Sequence, residues 1–422
     1  MQRLTPFLYL VLLLVIVILK TSAQSTSAAG SDPDYTVAVY YFPNYHADPT
    51  NDRWHGKNWT EWELVKAAKP RFTGHQQPNV PAWGYFDESD PTWAAKEIDL
   101  AADHGVDVFL YDWYWYEAIP GNKYLHGQLE NGFLKAPNRN RLKFALMWAN
   151  HDWLNIQPAT FTNKTEKQTD GEVSAETWDK LTDYVIDTYF KQPNYWKLDG
   201  KPYFSIYEIG TFINGFGTLE KALAALQRFE QKTKAAGFPG LHLNVMAWGF
   251  TDGALSNFPW EQSLKNPDKI FKAVNPASVT SYCYVHHYTP PASQFPTMKY
   301  AEALAANEKA WGDMAKQFNP VPYFPNASMG WDPSPRTIQT DKFQFQGYPW
   351  MHVFTDNTPA AFKEGLLRAK KHIDQSNLKH KVVTVNAWNE WTEGSYLLPD
   401  AKNGTKYLEA IRAVFGPQTQ PK

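Results

Sequence analysis

Residues 35–56 read YTVAVYYFPNYHADPTNDRWHG, and this stretch decides between two architectures for the chain. Its first eight residues are mostly β-branched or aromatic, which is typical of a buried strand. A doubly wound open sheet that binds a nucleotide carries a glycine-rich turn directly after such a strand. Here the strand runs into a polar loop, and neither GxGxxG nor GxxxxGKS occurs in the chain. The stretch therefore favours a closed barrel over the open sheet.

An alternation of β-rich and helical segments continues along the rest of the sequence. The segment 218–237, for example, has a threonine cap, apolar residues at helical spacing and a terminal glycine. Eight β-rich runs alternating with such segments predict a (β/α)8 TIM barrel, with elaborated βα loops because a plain barrel needs only about 250 residues. The predicted strands are Tyr35–Phe42, Val106–Trp113, Leu142–Ala149, Lys201–Tyr207, Leu241–Trp248, Ser278–Val285, Val321–Trp331 and Lys381–Trp388.

The first 34 residues read as a targeting segment and a linker. An apolar run from Phe7 to Leu19 follows the basic start MQR and precedes small residues up to Ala23, which is the order of a secretory signal peptide. Residues 24–34 are polar and rich in Ser and Ala, a composition typical of disorder. We expect a signal peptide over 1–23, a disordered linker over 24–34 and a catalytic domain over 35–416. The expected location is secreted, with an uncleaved membrane anchor as the alternative.

Composition restricts the class of partner. The formal net charge is −2 with both signs interspersed, so the sequence predicts no binding to nucleic acid or to anionic lipid. Aromatic residues make up 16% of the chain, and pyranose rings stack on such side chains in sugar-binding clefts. An aromatic-rich core is the equally good alternative. The single cysteine, Cys283, excludes an intramolecular disulfide and is expected in the core. We expect a monomer with an oligosaccharide or polysaccharide partner.

Polar and aromatic residues stand at the end of every predicted strand. In a barrel, the carboxyl ends of the strands and the loops that follow them form one shared bowl, which holds the chemistry. Any one of these residues is more often structural than functional, but the repetition at all eight strands indicates a site. The residues are Tyr41, His46, Asp112, Trp113, Trp148, Asn150, Asp152, Tyr207, Glu208, Trp248, His286, His287, Asp332, Arg336 and Glu390.

The last of these ends carries two glutamates three positions apart, in NAWNEWTEG at residues 386–394. Repulsion between Glu390 and Glu393, with shielding by Trp388 and Trp391, is expected to separate their pKa values, so that one stays ionised while the other holds a proton. Glycosidic bond cleavage requires this division between a base or nucleophile and an acid. A glutamate pair on a solvated loop is the alternative.

Several motifs in order resemble the WbsX-like group related to glycoside hydrolase family 99. They are YYFPNYH, NDRWHGKNWTEW, LYDWYWY, MWANHDW, MGWDPSPR and WNEWTEG, followed by LLPD and YLEAIR, and they span nearly the whole predicted barrel. The resemblance implies a retaining, endo-acting α-mannosidase type of enzyme. The sequence departs from the commoner WANEN pattern with WANHD at 148–152, which points to a difference in substrate choice.

The resemblance also implies roles for individual residues. Glu390 is then the base that deprotonates the 2-hydroxyl of the sugar, which attacks the anomeric carbon and gives a 1,2-anhydro sugar, while Glu393 is the general acid that then activates water. Substrate binding falls to the residues at the matching motif positions and strand ends. These are Tyr41, His46, Glu61, Asp112, Trp148, Asn150, Tyr207, Trp248, Arg336 and Asn389.

Two further function classes compete with a hydrolase. One is a WbsX-type glycosyltransferase, against which stands the lack of a phosphate-binding glycine motif. The other is a non-catalytic carbohydrate-binding barrel, against which stands the retention of both glutamates. No cofactor and no metal are expected, because HExxH and similar spacings are missing and the adjacent His286 and His287 are expected to point apart on a strand.

Overall fold

The computed structural model describes residues 34–251, 255, 258 and 265–416. Nine parallel strands form one barrel sheet, in the spatial order β7-β6-β5-β4-β3-β2-β1-β9-β8. The predicted signal peptide (1–23) and nearly all of the predicted linker (24–34) lie outside the described residues. The strands are β1 (Tyr35–Tyr41), β2 (Val108–Trp115), β3 (Lys143–Trp148), β4 (Lys201–Ile206), β5 (His242–Met246), β6 (Ser278–Thr280), β7 (Tyr323–Phe324), β8 (Asn326–Ser328) and β9 (Lys381–Asn386).

The nine strands occupy eight positions, because β7 and β8 are two halves of the seventh. Pro325 separates them and has no N–H to donate to a strand ladder. The first half pairs with β6, as Val279 faces Tyr323, and the second half pairs with β9, as Ser328 faces Asn386. The seventh strand thus links the two edges of the sheet. The prediction of a (β/α)8 barrel with elaborated loops is confirmed.

Most of the predicted strands end earlier than expected, and the eighth ends at Asn386 instead of Trp388. The predicted strand Val321–Trp331 is the short broken pair β7 and β8, and the fifth strand ends at Met246 before a 3-10 turn, Ala247–Phe250. The sixth ends at Thr280, so the prediction that His286 and His287 lie on a strand is wrong. They fall in and after the 3-10 turn Tyr284–His286. Apolar residues in these stretches continue into the bowl above the sheet, where periodicity alone does not separate wall from strand.

The helices lie mostly where the sequence predicts them. Thr218 caps one by accepting a hydrogen bond from the backbone N–H of Lys221, and Asp90 caps another in the same way from Thr92. Among the described helices, none combines the length and the apolar character that a membrane span requires. They are α1 (Pro49–His55), α2 (Trp62–Ala67), α3 (Pro91–Asp103), α4 (Ala175–Val185), α5 (Ile209–Phe216), α6 (Leu219–Ala235), α7 (Pro267–Val274), α8 (Tyr300–Gln317), α9 (Pro359–Gln375) and α10 (Lys406–Phe415).

The hydrophobic core fills the barrel and the space between sheet and helices. Central strands such as β2 are buried along their full length, as expected of a parallel sheet covered on both faces. Cys283 is buried, as predicted, and also lies at the edge of a cavity above the sheet. This cavity opens at the carboxyl ends of the strands, where barrel chemistry is located.

Candidate active site

A cavity of about 570 Å³ lies at the carboxyl ends of the strands, with Glu390 and Glu393 in its wall. Pockets of about 300–1,000 Å³ are the usual size for small ligands. The glutamates are 2% and 6% exposed, respectively. Residues from the ends or following loops of β1 to β6, from the loop after β8 and from the loop after β9 contribute to the wall. The sequence segment 386–394 therefore meets the rest of the predicted bowl in one place.

The local backbone aims both glutamates at the cavity. Glu390 lies in a two-residue strand, Asn389–Glu390, which pairs with Ser395–Tyr396, and the turn Trp391–Glu393 closes this small hairpin. Gly394 ends the turn at φ 64°, and a side chain there would come within 2.7 Å of the Asp332 Cβ. The requirement for glycine at 394 follows from both the left-handed backbone and this close approach.

Arg336 joins the two glutamates. Its Nη2 donates to Glu390 Oε1 at 2.7 Å, and its Nη1 donates to Glu393 Oε1 at 2.6 Å. Its Nε donates to Glu61 Oε1 at 2.9 Å and to Thr392 Oγ1 at 3.0 Å. One buried guanidinium therefore serves three buried carboxyl groups. Because the cluster lacks two compensating charges, it favours keeping a proton.

The two glutamates differ in the hydrogen bonds that they accept and in how far burial raises their pKa values. Burial raises the pKa of Glu390 well above its usual value, with Arg336 opposing this. Burial also raises the pKa of Glu393, and both Arg336 and a hydrogen bond from Tyr348 Oη, at 2.7 Å, oppose it. Glu390 Oε2 is buried without a hydrogen-bond partner. Glu390 is therefore the carboxyl group of the pair that more readily holds a proton.

A further carboxyl group faces the same space. Asp112 accepts a hydrogen bond from Tyr282 Oη at 2.8 Å, and its Oδ1 is buried without a partner. Burial raises the pKa of Asp112 well above its usual range. A neutral Asp112 can donate a hydrogen bond to a ligand oxygen, and Glu390 Oε2 can receive or give one. Asp112 and Glu390 thus each offer the cavity one carboxyl oxygen that has no hydrogen-bond partner within the described part of the protein.

The predicted site residues divide into two groups. Six of the twelve line the cavity, and the other six do not. Their roles as catalytic or substrate-binding groups stay predictions, because position alone does not test them. The lining residues are Asp112, Tyr207, Trp248, Arg336, Glu390 and Glu393, and the residues behind the wall are Tyr41, His46, Glu61, Trp148, Asn150 and Asn389.

Two asparagines of the second group hold cavity residues in place. The side chain of Asn389 accepts from Phe42 N at 2.8 Å and donates to Phe42 O at 2.7 Å. Asn150 makes the same pair of bonds with the backbone of Glu208, at 2.8 and 2.9 Å. Phe42 and Glu208 both line the cavity, so each asparagine fixes the backbone of a wall residue.

Other members of that group lie in a buried polar cluster beneath the bowl. Tyr41 Oη donates to Glu88 at 3.1 Å and to Glu97 at 3.0 Å, and His46 Nδ1 lies 3.0 Å from Glu88 Oε1. Asn389 Nδ2 also reaches Glu88, at 3.3 Å. Trp148 is fully buried and packs against Trp178 instead. These contacts support the wall and do not face the cavity.

Two residues in or behind the site, Tyr348 and Glu97, were not predicted from the sequence. Tyr348, a residue that is 36% exposed, reaches Glu393 from the loop after β8, and no local sequence pattern indicates this contact. The sequence could have identified Glu97, because it lies on the apolar face of α3, between Ala94 and Ala101. A charged residue in such a position requires buried partners. Trp388 and Trp391 do not line the cavity; Trp388 donates to Glu97 at 2.9 Å, and Trp391 stacks on Tyr396.

No metal cluster is present in the part of the chain that the structure describes: no group of three or more His, Cys, Asp or Glu side chains there is arranged to hold an ion. His286 lines the cavity and contacts Tyr207 Oη at 3.4 Å, whereas His287 contacts Ser281 Oγ at 2.7 Å. Burial lowers the pKa of His286 to about 3 and that of His287 to about 4.

Comparison with known proteins gives a matching family model and related sequences. The sequence model of a family described as Glycosyltransferase WbsX matches residues 37–411. An uncharacterised protein, WxcX, of Xanthomonas campestris pv. campestris (strain B100) is 24% identical over 399 residues, which cover 92% of this chain and 51% of that protein. The counterpart from strain ATCC 33913 is also 24% identical, over 386 residues that cover 89% of this chain and 49% of that protein. The chain thus spans about half the length of these relatives.

Solved structures share the fold at low sequence identity. A protein described as glycoside hydrolase-like aligns with a TM-score of 0.58 and 14% identity, covering 92% of this chain and 96% of that chain. A GH99 endo-α-mannosidase from Bacteroides thetaiotaomicron, in complex with bis-tris-propane, aligns with a TM-score of 0.51 and 15% identity, covering 90% and 94%. The fold is that of a glycoside hydrolase-like barrel.

Proposed function

Because the chain belongs to the WbsX family and has a glycoside hydrolase-like barrel, we propose that it is a retaining, endo-acting glycoside hydrolase of α-mannoside-type linkages. The observation that carries the proposal is the convergence of Glu390 and Glu393 on one cavity, bridged by Arg336. Two carboxyl groups beside one sugar-sized space are what glycosidic cleavage requires. The proposed substrate is an oligosaccharide or polysaccharide, and the proposed location is secreted, with a membrane anchor as the alternative.

The proposed reaction uses the substrate's own 2-hydroxyl. Glu390 takes the proton of that hydroxyl, O2 attacks C1, and the C1–O bond to the leaving group breaks as Glu393 gives its proton to the departing oxygen. Glu393 then takes a proton from water, which attacks C1, and O2 recovers its proton from Glu390. Atoms and protons balance over the two steps. Internal attack of this kind has high effective molarity when the 2-hydroxyl is trans to the leaving oxygen.

The hydrogen bonds that the protein itself supplies favour the opposite order of protonation, since Glu393 receives them from both Arg336 and Tyr348 whereas Glu390 receives one from Arg336 alone. A sugar hydroxyl that donates to Glu390 Oε2 stabilises the ionised form of Glu390 and shifts the proton toward Glu393. We therefore expect the productive protonation state to be set by substrate binding, with the pair titrating as a unit.

The test is a panel of α-linked manno-oligosaccharides assayed for new reducing ends, with Glu390→Gln and Glu393→Gln variants. Each variant should lose ~10²-fold or more in kcat while still binding sugar, because the amide keeps the volume and removes proton transfer. The exposed Glu166→Gln is the matched control. Activity retained in both active-site variants contradicts the mechanism.

A second assay separates the two roles. With a dinitrophenyl glycoside, whose leaving group needs no protonation, Glu393→Gln should recover the first step and Glu390→Gln should not. The reverse pattern exchanges the two assignments and leaves the hydrolase class intact.

The family description favours a second candidate, a glycosyltransferase. A transferase releases nucleotide from a labelled nucleotide-sugar donor, whereas the proposed hydrolase does not. Release that depends on Glu390 would replace the hydrolase proposal. A carbohydrate-binding barrel without turnover would bind members of the glycan panel and change none of them.

A further inference from the structure

A second hollow of about 430 Å³ adjoins the cavity that holds the two glutamates. The two spaces share Asp152, Glu208 and Trp248 as a common wall. The far side of the second hollow is formed partly by Thr211 and Asn214 on α5, and by Lys167 and Glu172 from the loop after β3. A ligand that leaves the first cavity past Trp248 therefore enters a space large enough for another small ring.

The second hollow is lined mainly by hydrogen-bonding groups. Thr211 Oγ1 donates to Glu208 Oε2 at 2.5 Å, and Asn214 Nδ2 donates to Glu172 Oε1. Lys167 Nζ lies 2.7 Å from Asp152 Oδ2. Carboxyl, amide and hydroxyl groups of this kind bind the hydroxyls at the edge of a pyranose, and the exposed part of the Trp248 ring offers an apolar face beside them.

Charge in this hollow opposes an anionic sugar. Three carboxyl groups, Asp152, Glu172 and Glu208, face one lysine. That lysine is already engaged, since Lys167 Nζ also lies 3.0 Å from Asp170 Oδ1. Burial raises the pKa of Glu208 to about 7, so near neutrality this group can either donate or accept a hydrogen bond. A sugar carboxylate, sulfate or phosphate finds no free cation among these lining residues.

We propose that the second hollow is a subsite for a further uncharged sugar unit of the same glycan chain. The proposal rests on the proposed function for the position of the scissile bond, but the binding itself does not require turnover. Asp152, in the common wall, belongs to the segment WANHD at 148–152, which leads from the end of β3 into the bowl. The proposed subsite is thus an extension of the first cavity, reached past the common wall.

The test fills the hollow and measures how affinity depends on chain length. Calorimetry on the full chain carrying Glu390→Gln, which stops turnover, compares α-linked mannobiose with mannotriose, mannotetraose and mannopentaose. We expect affinity to rise ~10-fold or more with length. Asn214→Trp, which places a large ring in the hollow, should reduce the longer ligands to the affinity of the biose. Asn131→Trp, at an exposed position away from both spaces, should leave the rise unchanged.

Each outcome decides a separate point. A rise that survives Asn214→Trp, or no rise in the unfilled protein, overturns the subsite while leaving cleavage in the first cavity unaffected. A rise that Asn214→Trp removes, in a protein whose unsubstituted form cleaves nothing, supports the subsite and rejects the proposed hydrolase. No binding of any of these sugars rejects both.

Two further measurements keep the test decisive: a replacement variant in case Asn214→Trp does not fold, and a charged probe. If circular dichroism shows that Asn214→Trp does not fold, Asn214→Ala replaces it, and we expect a ~3-fold or greater loss for the longer ligands only. An oligogalacturonate of equal length is the charged probe. Binding of this probe as tight as that of mannotetraose overturns the inferred preference for an uncharged unit.

Discussion

Arg336 and Glu61 lie 275 positions apart in the sequence and are joined by a hydrogen bond of 2.9 Å, from Nε to Oε1. Glu61 does not line the cavity; it is fully buried and also accepts from Asn44 at 2.7 Å and from Thr392 at 2.6 Å. Its contact with Nε leaves Nη1 and Nη2 directed at the two glutamates. Glu61 is therefore a positioning residue for the guanidinium that bridges the proposed catalytic pair.

Glu61→Gln should lower kcat by ~10-fold or more with a smaller change in KM. The glutamine keeps the volume, but its amide nitrogen accepts no hydrogen bond. A single oxygen must then serve the donors of Arg336, Thr392 and Asn44, so the contact that orients Arg336 weakens. Steady-state kinetics on a cleaved oligosaccharide and thermal unfolding are the measurements. The exposed Glu63→Gln, two positions away, is the control. Unchanged kcat together with an unchanged pH profile contradicts the positioning role.

Tyr348→Phe should move the kinetic pKa carried by Glu393 upward. The Tyr348 hydroxyl donates to Glu393 at 2.7 Å, and this bond lowers a pKa that burial has raised. Without the hydroxyl the carboxyl group holds its proton to higher pH, so the limb of the kcat/KM profile that reports Glu393 shifts to higher pH.

The measurement is the pH profile of kcat/KM, and Tyr85→Phe, at an exposed tyrosine, is the control. A shift to lower pH, or no shift with a changed KM alone, contradicts the hydrogen bond as the cause.

Glu97→Gln should make the free energy of unfolding depend less on pH between pH 5 and pH 8. Burial raises the pKa of Glu97 from 4.5 to about 8, so between these pH values the folded state holds one proton more than the unfolded state. The free energy of unfolding then falls as pH rises through this window, by on the order of 1 kcal/mol per unit. The glutamine has no proton to lose and keeps an acceptor for Trp388 or Tyr41.

Denaturant unfolding at pH 5, 6, 7 and 8 tests this, with the exposed Glu220→Gln on α6 as the control. The wild-type protein should lose more stability than Glu97→Gln between pH 5 and pH 8. Equal losses in the two proteins contradict a protonated Glu97 in the fold.

The fold was largely predictable because its signals are local. The run after Tyr35 without a glycine-rich turn, and caps such as Thr218, depend on neighbours within a few positions. The ends of the fifth to eighth strands were mispredicted, since apolar residues continue from the strands into the structure above the sheet. Pro325 is the local signal for the break in the seventh strand, because proline cannot donate to a strand ladder.

The site was predictable only in part. Strand ends identified Asp112, Tyr207, Trp248, Arg336 and the two glutamates as residues of one bowl, and all six line the cavity. The other six predicted residues lie behind the wall because a strand end has two faces, and the alternation of side chains does not say which face borders the bowl. Tyr348 was missed because a long loop can place its tip almost anywhere over the barrel mouth.

The sequence by itself determined the class of fold and the pair of glutamates, because both depend on short-range patterns. The fold follows from the periodicity of strands and helices, and the pair follows from a three-residue spacing on one turn. Only the tertiary structure decided which side chains share a single guanidinium, which acids are buried enough to keep a proton, and that a second hollow adjoins the first. Those properties depend on distances between residues far apart in the chain, and electrostatic energies in a buried site change steeply with such distances.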